Sequence, residues 1–394
     1  MVILIKEKEC YMKITNDVIY IGVNDHKIDL FEGQYDVPNG MAYNSYVILD
    51  EKIAVFDTVD KKYGEEWLKN LELALNGKVP DYLVVQHMEP DHSANIAVFM
   101  EKYPNTMVVG SDKAFLMMKQ FFGNDYSQAR LIVKDGDKIS LGKHEITFYT
   151  APMVHWPEVI VSYDSYDKIL FSADAFGKFG ALDIEDDWAC EARRYYFGIV
   201  GKYGMQASKL LEKASALEIN IICPLHGPIL AENLSYYLNL YKIWTSYEVE
   251  SDGVVILYTS VYGNTKKAVE LLEKELLAVG CPKVTVSDLA RSDMHEAVED
   301  AFRYGKLVLA TTTYNNDVFP FMRELINALI ERNYKNRKVA IIENGSWAPS
   351  AQKKIREMLS VLKGIEILDK SVTIRSSMSE ENKAEIKELA KLLK

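Results

Sequence analysis

The feature that most constrains this chain is a regular alternation of strands and amphipathic helices that begins near residue 251 and continues to the end. Strands that alternate with helices form a parallel sheet covered by helices, because each parallel connection needs a crossover of helix length. The sequence therefore predicts a doubly wound α/β domain over residues 251–394, closed by a charged helix from Ser379. Its five predicted strands are Val254–Thr259, Lys283–Asp288, Lys306–Thr312, Lys338–Glu343 and Ile365–Val372.

The preceding residues follow a different pattern, in which many short strands are interspersed with helices. We predict a separate domain over residues 1–250, built from sheets with helices packed outside, and a boundary near Ser251. A length of 394 residues suits two or three domains. The predicted strands are Asn16–Val23, Asn44–Leu49, Ile53–Asp57, Tyr82–Gln86, Thr106–Gly110, Glu145–Thr150 and Val159–Tyr163, and the predicted helices are Glu65–Asn76, Ala94–Tyr103, Asp112–Phe122, Cys190–Ala216 and Asn233–Glu248.

Composition excludes several function classes. The net charge of −11 argues against nonspecific nucleic-acid binding, which needs a basic footprint. No apolar run approaches the ~20 residues that span a bilayer, and the N-terminus lacks the order of a secretory signal, whether Met1 or Met12 is the start. No two cysteines form a C-x-x-C pair, which predicts reduced thiols and hence a cytoplasmic protein. Because no segment could span a bilayer, we also expect no membrane partner. The four cysteines are Cys10, Cys190, Cys223 and Cys281.

A dense group of potential metal ligands follows the strand Tyr82–Gln86. His87, Glu89, Asp91 and His92 occur within six residues, and Pro90 prevents this segment from being a helix interior. A loop at a strand end can turn such side chains toward one point. A solvated polar turn is the alternative interpretation, but a mixture of imidazoles and carboxylates at this density is typical of metal sites.

Three further residues complete the set, and each follows a predicted strand. They are His155, Asp174 and His226. Sites on sheet scaffolds gather at strand ends, so we expect these side chains to join the first group. Four histidines and three carboxylates are enough for two metals with three terminal ligands each and one bridging carboxylate.

This pattern resembles the metallo-β-lactamase superfamily, whose H-x-H-x-D-H motif precedes a later His, Asp and His. Glu89 stands where that motif has its second His, and the added carboxylate suits iron better than zinc. The substitution is characteristic of flavodiiron proteins, a resemblance that extends over nearly the whole chain. It implies an αββα sandwich followed by a flavodoxin-like domain. It also implies two irons per subunit, one held by His87, Glu89 and His155, the other by Asp91, His92 and His226, with Asp174 between them.

Three loops of the second domain resemble the FMN site of flavodoxins. The first strand runs into S-V-Y-G-N-T at a helix start, where backbone N–H groups attract a phosphate without a basic side chain. In such folds the flavin lies at the carboxyl ends of the strands, often against an aromatic ring, for which Tyr314 and Trp347 are the candidates. The predicted FMN contacts are Thr259, Ser260, Val261, Tyr262, Gly263, Asn264, Thr265, Thr312, Thr313, Tyr314, Asn315, Asn316, Gly345, Ser346, Trp347 and Ala348.

Two residues are candidates for a catalytic role near the metals. Many flavodiiron proteins have an F-H-G stretch near the di-iron pocket, where this chain has Phe31-Glu32-Gly33, so Glu32 is a candidate for proton transfer. Tyr195 or the adjacent Tyr196 is a candidate for lining the pocket. A solvated turn and ordinary helix packing are the respective alternatives. The other histidines, His26, His144 and His295, are interpreted as surface or turn residues.

The resemblance implies that FMN reloads two irons that reduce dioxygen to water, or nitric oxide to nitrous oxide and water. It further implies head-to-tail homodimers, or homotetramers built from them, and an external electron donor such as rubredoxin. Two other hypotheses stay open. A di-zinc hydrolase fused to a flavodoxin would contain zinc and cleave esters, and a pure electron carrier would keep its activity without iron. Preference between dioxygen and nitric oxide is not encoded in the predicted ligands.

Overall fold

The computed structural model describes residues 12–394, and its chain divides into two compact units. The first unit contains the described residues up to Tyr196 and Met205–Tyr241, and the second contains Phe197–Gly204 and Lys242–Lys394. Cys10 and Met1 lie outside the described residues. The domain boundary near residue 251 stays a prediction.

The first unit is built on two sheets. One sheet has seven strands in the order β1-β2-β7-β8-β9-β10-β11, and the other has five in the order β12-β13-β14-β15-β16. Two small hairpin sheets pair β3 with β6 and β4 with β5. The strands are β1 (Met12–Lys13), β2 (Val18–Tyr20), β3 (Val23–Asp25), β4 (Leu30–Phe31), β5 (Tyr35–Asp36), β6 (Met41–Tyr43), β7 (Tyr46–Leu49), β8 (Ile53–Phe56), β9 (Tyr82–Val84), β10 (Met107–Gly110), β11 (Arg130–Ile132), β12 (Lys138–Ser140), β13 (Glu145–Thr150), β14 (Ile160–Asp164), β15 (Ile169–Phe171) and β16 (Ile221–Cys223).

Apolar side chains from both sheets form one core between them. At its centre the rings of Phe56 and Phe171 stack with centroids 4.2 Å apart, which joins β8 to β15. Helices bury one face, as α1 does with Trp67 and Leu71. This arrangement is the predicted αββα sandwich. The helices are α1 (Gly64–Leu75), α2 (Pro90–Ser93), α3 (Ile96–Lys102), α4 (Asp112–Phe122), α5 (Trp188–Tyr195), α6 (Gly204–Ser215) and α7 (Leu234–Ser246).

The second unit contains a parallel sheet in the order β18-β17-β19-β21-β22, with β23 also paired to β21. The order reverses between β17 and β19, which is the flavodoxin-like arrangement and confirms the predicted fold class. Apolar residues of the strands and of α8 and α12 form its core. The elements are β17 (Ser251–Tyr258), α8 (Asn264–Ala278), β18 (Val284–Asp288), α9 (Met294–Arg303), β19 (Tyr304–Tyr314), β20 (Asp317–Val318), α10 (Pro320–Glu331), β21 (Arg337–Asn344), α11 (Ala351–Leu359), β22 (Ile365–Ile367), β23 (Val372–Ile374) and α12 (Glu380–Leu392).

Two predicted elements are wrong in their continuity. The predicted fifth strand, Ile365–Val372, is two short strands, because a polar stretch interrupts it and each part pairs with a different end of β21. The predicted helix Cys190–Ala216 is broken between α5 and α6 by a π turn and a 3₁₀ turn. The hydroxyl of Tyr247 lies at this break, where it donates to Gly201 O (2.5 Å) and accepts from Gly204 N (3.3 Å), in place of bonds that a continuous helix would make.

Within residues 12–394, no helix is long and apolar enough to cross a membrane. Within the same residues, Cys223 and Cys281 form no disulfide.

Candidate metal centre and flavin loops

The ligand-rich loop is shaped by its neighbours at the end of β9. Asp57, just after β8, accepts hydrogen bonds from the backbone N–H of Gln86 (2.7 Å) and His87 (3.3 Å). Pro90 then begins the short helix α2, where its missing N–H costs nothing. The turn therefore sends His87 and Glu89 out of the loop, while Asp91 comes from the first turn of the helix.

Four of the predicted ligands form one group. Nε2 of His87 lies 3.3 Å from Nε2 of His155 and 3.3 Å from Oε2 of Glu89. Nε2 of His155 lies 2.9 Å from the same carboxylate oxygen. Oδ2 of Asp174 completes the group, at 3.2 Å from His87 and 3.3 Å from His155. Donors from three strand-end loops therefore face one point.

The remaining three ligands form a second group beside the first. Nε2 of His92 and Nε2 of His226 are 3.0 Å apart, and Oδ2 of Asp91 lies 3.4 Å and 3.2 Å from them. The other oxygen of Asp174, Oδ1, lies 3.5 Å from His92 and 3.9 Å from His226. Asp174 therefore presents one oxygen to each group, and the structure brings all seven predicted residues together.

The donor set fits a pair of metal ions. Atoms bound about 2.0–2.2 Å from one ion lie about 2.9–3.4 Å from each other, which is the spacing found within each group. Two imidazole nitrogens that face each other at 3.0 Å cannot both carry protons, and the lone pairs of His92 and His226 can both be used by a shared cation. Both carboxylate oxygens of Asp91 and of Asp174 are buried without a hydrogen-bond partner, which also favours cations.

The pKa values of the carboxyl groups in the cluster are set by burial and by these contacts. Burial acts to raise the pKa of Asp174, but the imidazoles of His87, His155 and His92 outweigh it and hold that pKa well below its usual range. Burial also dominates at Asp91 and raises its pKa to about 7. Opposed effects on neighbouring carboxyls are expected where anions are packed together without a counter-charge.

Each group has a histidine oriented by an acceptor behind it. Nδ1 of His87 lies 2.8 Å from Oε1 of Glu158, and Nδ1 of His226 lies 2.7 Å from the backbone carbonyl of Ala42. The Ala42 carbonyl can only accept, and Glu158 Oε1 already accepts from the N–H of Met88, so each Nδ1 carries the hydrogen and each neutral imidazole keeps a lone pair on Nε2 for a metal. Sequence reasoning missed these acceptors and Asp57. Glu158 could have been suspected, because it lies three residues after His155. The backbone carbonyl of Ala42 could not, because every residue has one.

Aromatic rings surround the second group. Phe31, Tyr43 and Tyr195 lie with ring centroids 5.4, 6.0 and 5.5 Å from the imidazole of His226. Tyr195 is buried, and its burial holds its pKa well above its usual value, so its hydroxyl stays protonated. The predicted position of Tyr195 at the pocket wall agrees with these contacts.

Glu32 lies at the tip of the β4–β5 hairpin, with a positive φ of 48°. Gln34 donates a hydrogen bond to its Oε2 (3.2 Å). Glu32 is an exposed residue. Partial loss of hydration and the charge of Glu89 nevertheless raise the pKa of its carboxyl group to about 7. Glu32 therefore stands at the edge of the metal cluster, next to its first group.

The three predicted flavin loops lie at one edge of the second unit, because β17, β19 and β21 run parallel in register. Ser260 Oγ accepts from the backbone N–H of Gly263 (3.1 Å) and Lys266 (3.3 Å), which curls the first loop around the start of α8. Gly263 has a φ of 85° with open space where a Cβ would be. A helix N-terminus behind an open, tightly turned loop fits a phosphate.

The other two loops offer aromatic surfaces. Asn315 and Asn316 both have positive φ and form the two-residue turn from β19 to β20, which leaves Tyr314 half exposed. Trp347 is 88% exposed in the loop after β21. Ser346 Oγ is fixed by Ser376 Oγ at 2.7 Å. An indole with so little packing is available to stack on a planar ligand.

The remaining histidines differ from one another. His26 is exposed and lies 3.1 Å from Asp183, and His295 is half-buried at the start of α9. His144 lies in the predicted turn before β13, but its interpretation as a surface residue is wrong. Its imidazole is buried, and its Nδ1 lies 2.9 Å from the buried carboxylate of Asp164.

Comparison with known proteins extends these observations. A family model described as ODP family beta lactamase matches residues 41–227. A nitric oxide reductase from Moorella thermoacetica is 30% identical over 361 residues, covering 89% of this chain and 90% of that protein. The solved rubredoxin oxygen:oxidoreductase of Desulfovibrio gigas is similar with a TM-score of 0.90 and 25% identity, covering 97% of each chain. The flavodiiron protein of Giardia intestinalis has a TM-score of 0.90 and 25% identity, covering 97% of this chain and 95% of that chain.

Proposed function

This chain belongs to the flavodiiron protein family, and we propose that it reduces dioxygen to water, nitric oxide to nitrous oxide and water, or both, at a non-haem di-iron centre fed by FMN. The observation that carries the proposal is the convergence of seven donors in two groups that share Asp174. Three carboxylates and four imidazoles form a hard, anionic set that suits iron.

In this proposal the two irons are divided between the two groups. When bound, they would supply electrons and coordination sites to the diatomic substrate, and FMN would return those electrons singly or in pairs. The chain itself contributes ligand charge and placement. One iron is held by His87, Glu89 and His155, the second by Asp91, His92 and His226, and Asp174 spans both.

The side chains around the centre exclude water and supply protons, which both reactions consume. Phe31 and Tyr195 form an apolar wall against His226 that suits a small uncharged gas. Glu32, with a pKa near 7, holds a proton at its carboxyl at neutral pH and passes it into the cluster. Tyr195 keeps its proton and acts as a hydrogen-bond donor.

The flavin loops bind FMN in a second domain, residues 251–394, while residues 1–250 form the di-iron domain. Ser260, Gly263 and the first turn of α8 hold the phosphate, and Trp347 stacks on the isoalloxazine ring. The predicted contacts belong to these loops and to the adjoining ends of α8 and β19, over Thr259–Thr265, Thr312–Asn316 and Gly345–Ala348.

The proposal includes partners. Electrons come from an external donor such as rubredoxin, and the protein acts as a head-to-tail homodimer or a homotetramer of such dimers. The name of the Desulfovibrio gigas relative, rubredoxin oxygen:oxidoreductase, supports the choice of donor and gas. A cytoplasmic location is supported by the free thiols of Cys223 and Cys281.

The test is metal and flavin analysis of the purified protein, followed by turnover with reduced rubredoxin under air and, without air, with nitric oxide. We expect two irons and one FMN per subunit, and consumption of at least one of the two gases. Zinc with ester hydrolysis would establish the hydrolase instead. Full activity after iron is stripped and FMN is kept would establish the electron carrier. The ratio of the two turnover rates decides which gas is preferred.

A further inference from the structure

The two ligand groups match in charge but differ in what stands behind them. Each consists of histidines and one carboxylate of its own, and each receives one oxygen of Asp174. Behind His87 stands the carboxylate of Glu158, whereas behind His226 stands the neutral carbonyl of Ala42. The acceptors behind these two imidazoles therefore differ in kind: a carboxylate in one group and an uncharged backbone carbonyl in the other.

Glu158 is held firmly in this position. Its Oε1 accepts from Nδ1 of His87 and from the backbone N–H of Met88, both at 2.8 Å. Its backbone carbonyl accepts from Ser111 Oγ at 2.7 Å, which anchors the residue to the start of α4. The carboxylate and the imidazole are both fully buried. Glu158 thus cannot turn away toward solvent.

The carboxylate lacks a conventional counter-charge. Among the ion pairs of residues 12–394, Glu158 contacts only His87, and its Oε2 is buried without a hydrogen-bond partner. A buried carboxylate of this kind is costly unless a cation lies nearby. A metal ion on the far nitrogen of His87 would supply that cation, and the imidazole would transmit the anionic charge to it.

We infer that Glu158 is a positioning residue that makes the two metal positions unequal, so that the iron bound by His87 is the more easily oxidised of the two. This inference rests on the proposed function. An anion near a metal stabilises its higher oxidation state and strengthens the donor nitrogen. On the other side, Nδ1 of His92 has no hydrogen-bond partner, and the bond from His226 to Ala42 carries no net charge. The iron at His226 should therefore remain ferrous longer as the centre is oxidised.

The substitution Glu158→Gln tests this, because glutamine keeps the size of the side chain and an oxygen acceptor for His87 but removes the charge. The chain offers a matched control in Asp164→Asn. Asp164 lies at the end of β14, whereas Glu158 lies just before its start. Asp164 also binds a buried histidine, since its Oδ2 lies 2.9 Å from Nδ1 of His144. His144 belongs to neither ligand group. Asp164→Asn removes an equivalent buried charge without touching the proposed centre.

The measurements are iron affinity, by competition with a chelator, and the two iron midpoint potentials, by redox titration followed with Mössbauer and electron paramagnetic resonance spectroscopy. For Glu158→Gln we expect the lower potential to rise toward the other, and the affinity for one of the two irons to fall about 10–100-fold. Asp164→Asn should leave both unchanged. A folded Glu158→Gln protein with the potentials and affinity of the natural chain would overturn the inference, as would an equal shift in Asp164→Asn. If the natural chain fails to bind two irons, the proposed function itself fails.

Discussion

At each end of β14 a carboxylate side chain binds a buried histidine, but the two histidines have different surroundings. At one end Glu158 binds Nδ1 of His87, and at the other Asp164 binds Nδ1 of His144, with both imidazoles buried. The difference lies at the second nitrogen. Nε2 of His87 faces three further donors, whereas Nε2 of His144 lies 3.5 Å from Asp17.

At the His144 end one of the anions is paired with a lysine, although His144, Asp164 and Asp167 also form a set of potential metal donors. Lys143 lies 2.5 Å from Asp17, and Thr15 donates to Asp167 at 2.6 Å. At the His87 end, among the ion pairs described for residues 12–394, the carboxylates of Asp91 and Asp174 are paired only with histidines and not with a lysine or arginine. A buried histidine–carboxylate pair is therefore not in itself a metal site. What distinguishes the two ends is whether the surrounding anions are matched by a lysine or left for a metal ion.

The largest effect expected from this comparison is at Asp174, the residue shared by both ligand groups. Asp174→Asn should reduce iron from two per subunit to less than one and lower turnover by at least about 100-fold, because an amide cannot supply anionic oxygens to both ions. Iron content and gas consumption check it. Asp164→Asn is the control, and an Asp174→Asn protein with two irons would contradict the assignment of Asp174 as the shared ligand.

A smaller effect is expected from Glu89→His, which changes the character of the cluster but leaves its donors in place. In the presence of equal iron and zinc, we expect the bound metal to shift toward zinc and gas turnover to fall by about tenfold or more, because a neutral imidazole replaces a hard anionic oxygen. Metal analysis of the reconstituted protein gives the ratio. Unchanged iron loading and turnover would show that Glu89 does not set the metal preference.

The metal ligands could be predicted from the sequence, but the hydrogen-bond acceptors that orient them could not all be. His155, Asp174 and His226 could be predicted because each follows a strand, and strand ends meet at one edge of a sheet. The acceptor at Ala42 is a backbone carbonyl whose role depends on which strand happens to lie beside His226. Similarly, the hydroxyl of Tyr247, which is distant in sequence, contacts the break between α5 and α6, although Gly198, Gly201 and Gly204 are a local signal for that break. Contacts of this kind are set by tertiary packing and have no local pattern.

Iron binding should increase the free energy of unfolding through the ligand groups at the His87 end of β14, and not through the His144 end. Ferrous iron at 100 times its dissociation constant would add about 2.7 kcal/mol to the free energy of unfolding. For a unit of this size, that raises the melting temperature by about 5–10 °C. Calorimetry of the apoprotein with and without iron measures the shift. His144→Asn should retain it and Asp174→Asn should lose it, and loss of the shift in His144→Asn would mean that the two ends do not differ as described.

The smallest expected effect is a pH-dependent change in stability at the His144 end. Burial acts to lower the pKa of His144, but its hydrogen bond to Asp164, together with Asp17 and Asp167, outweighs burial and raises that pKa above its ordinary value of 6.5. A histidine whose pKa is raised by folding adds stability that is fully present below about pH 6.5 and is lost as the pH rises through the raised value.

Asp164→Asn removes the main cause of that increase, since an amide hydrogen-bonds to imidazolium more weakly than a carboxylate does. A hydrogen bond to a charged group contributes about 1.5–3 kcal/mol, so the variant should melt about 3–10 °C below the natural chain at pH 6. The difference should shrink as the pH rises through the raised pKa of His144, above which the imidazole is neutral in both proteins. Melting curves across this range, with iron content measured in parallel, provide the test. A gap that widens with pH would reverse the predicted sign, whereas a loss of iron would show that the two ends of β14 are coupled.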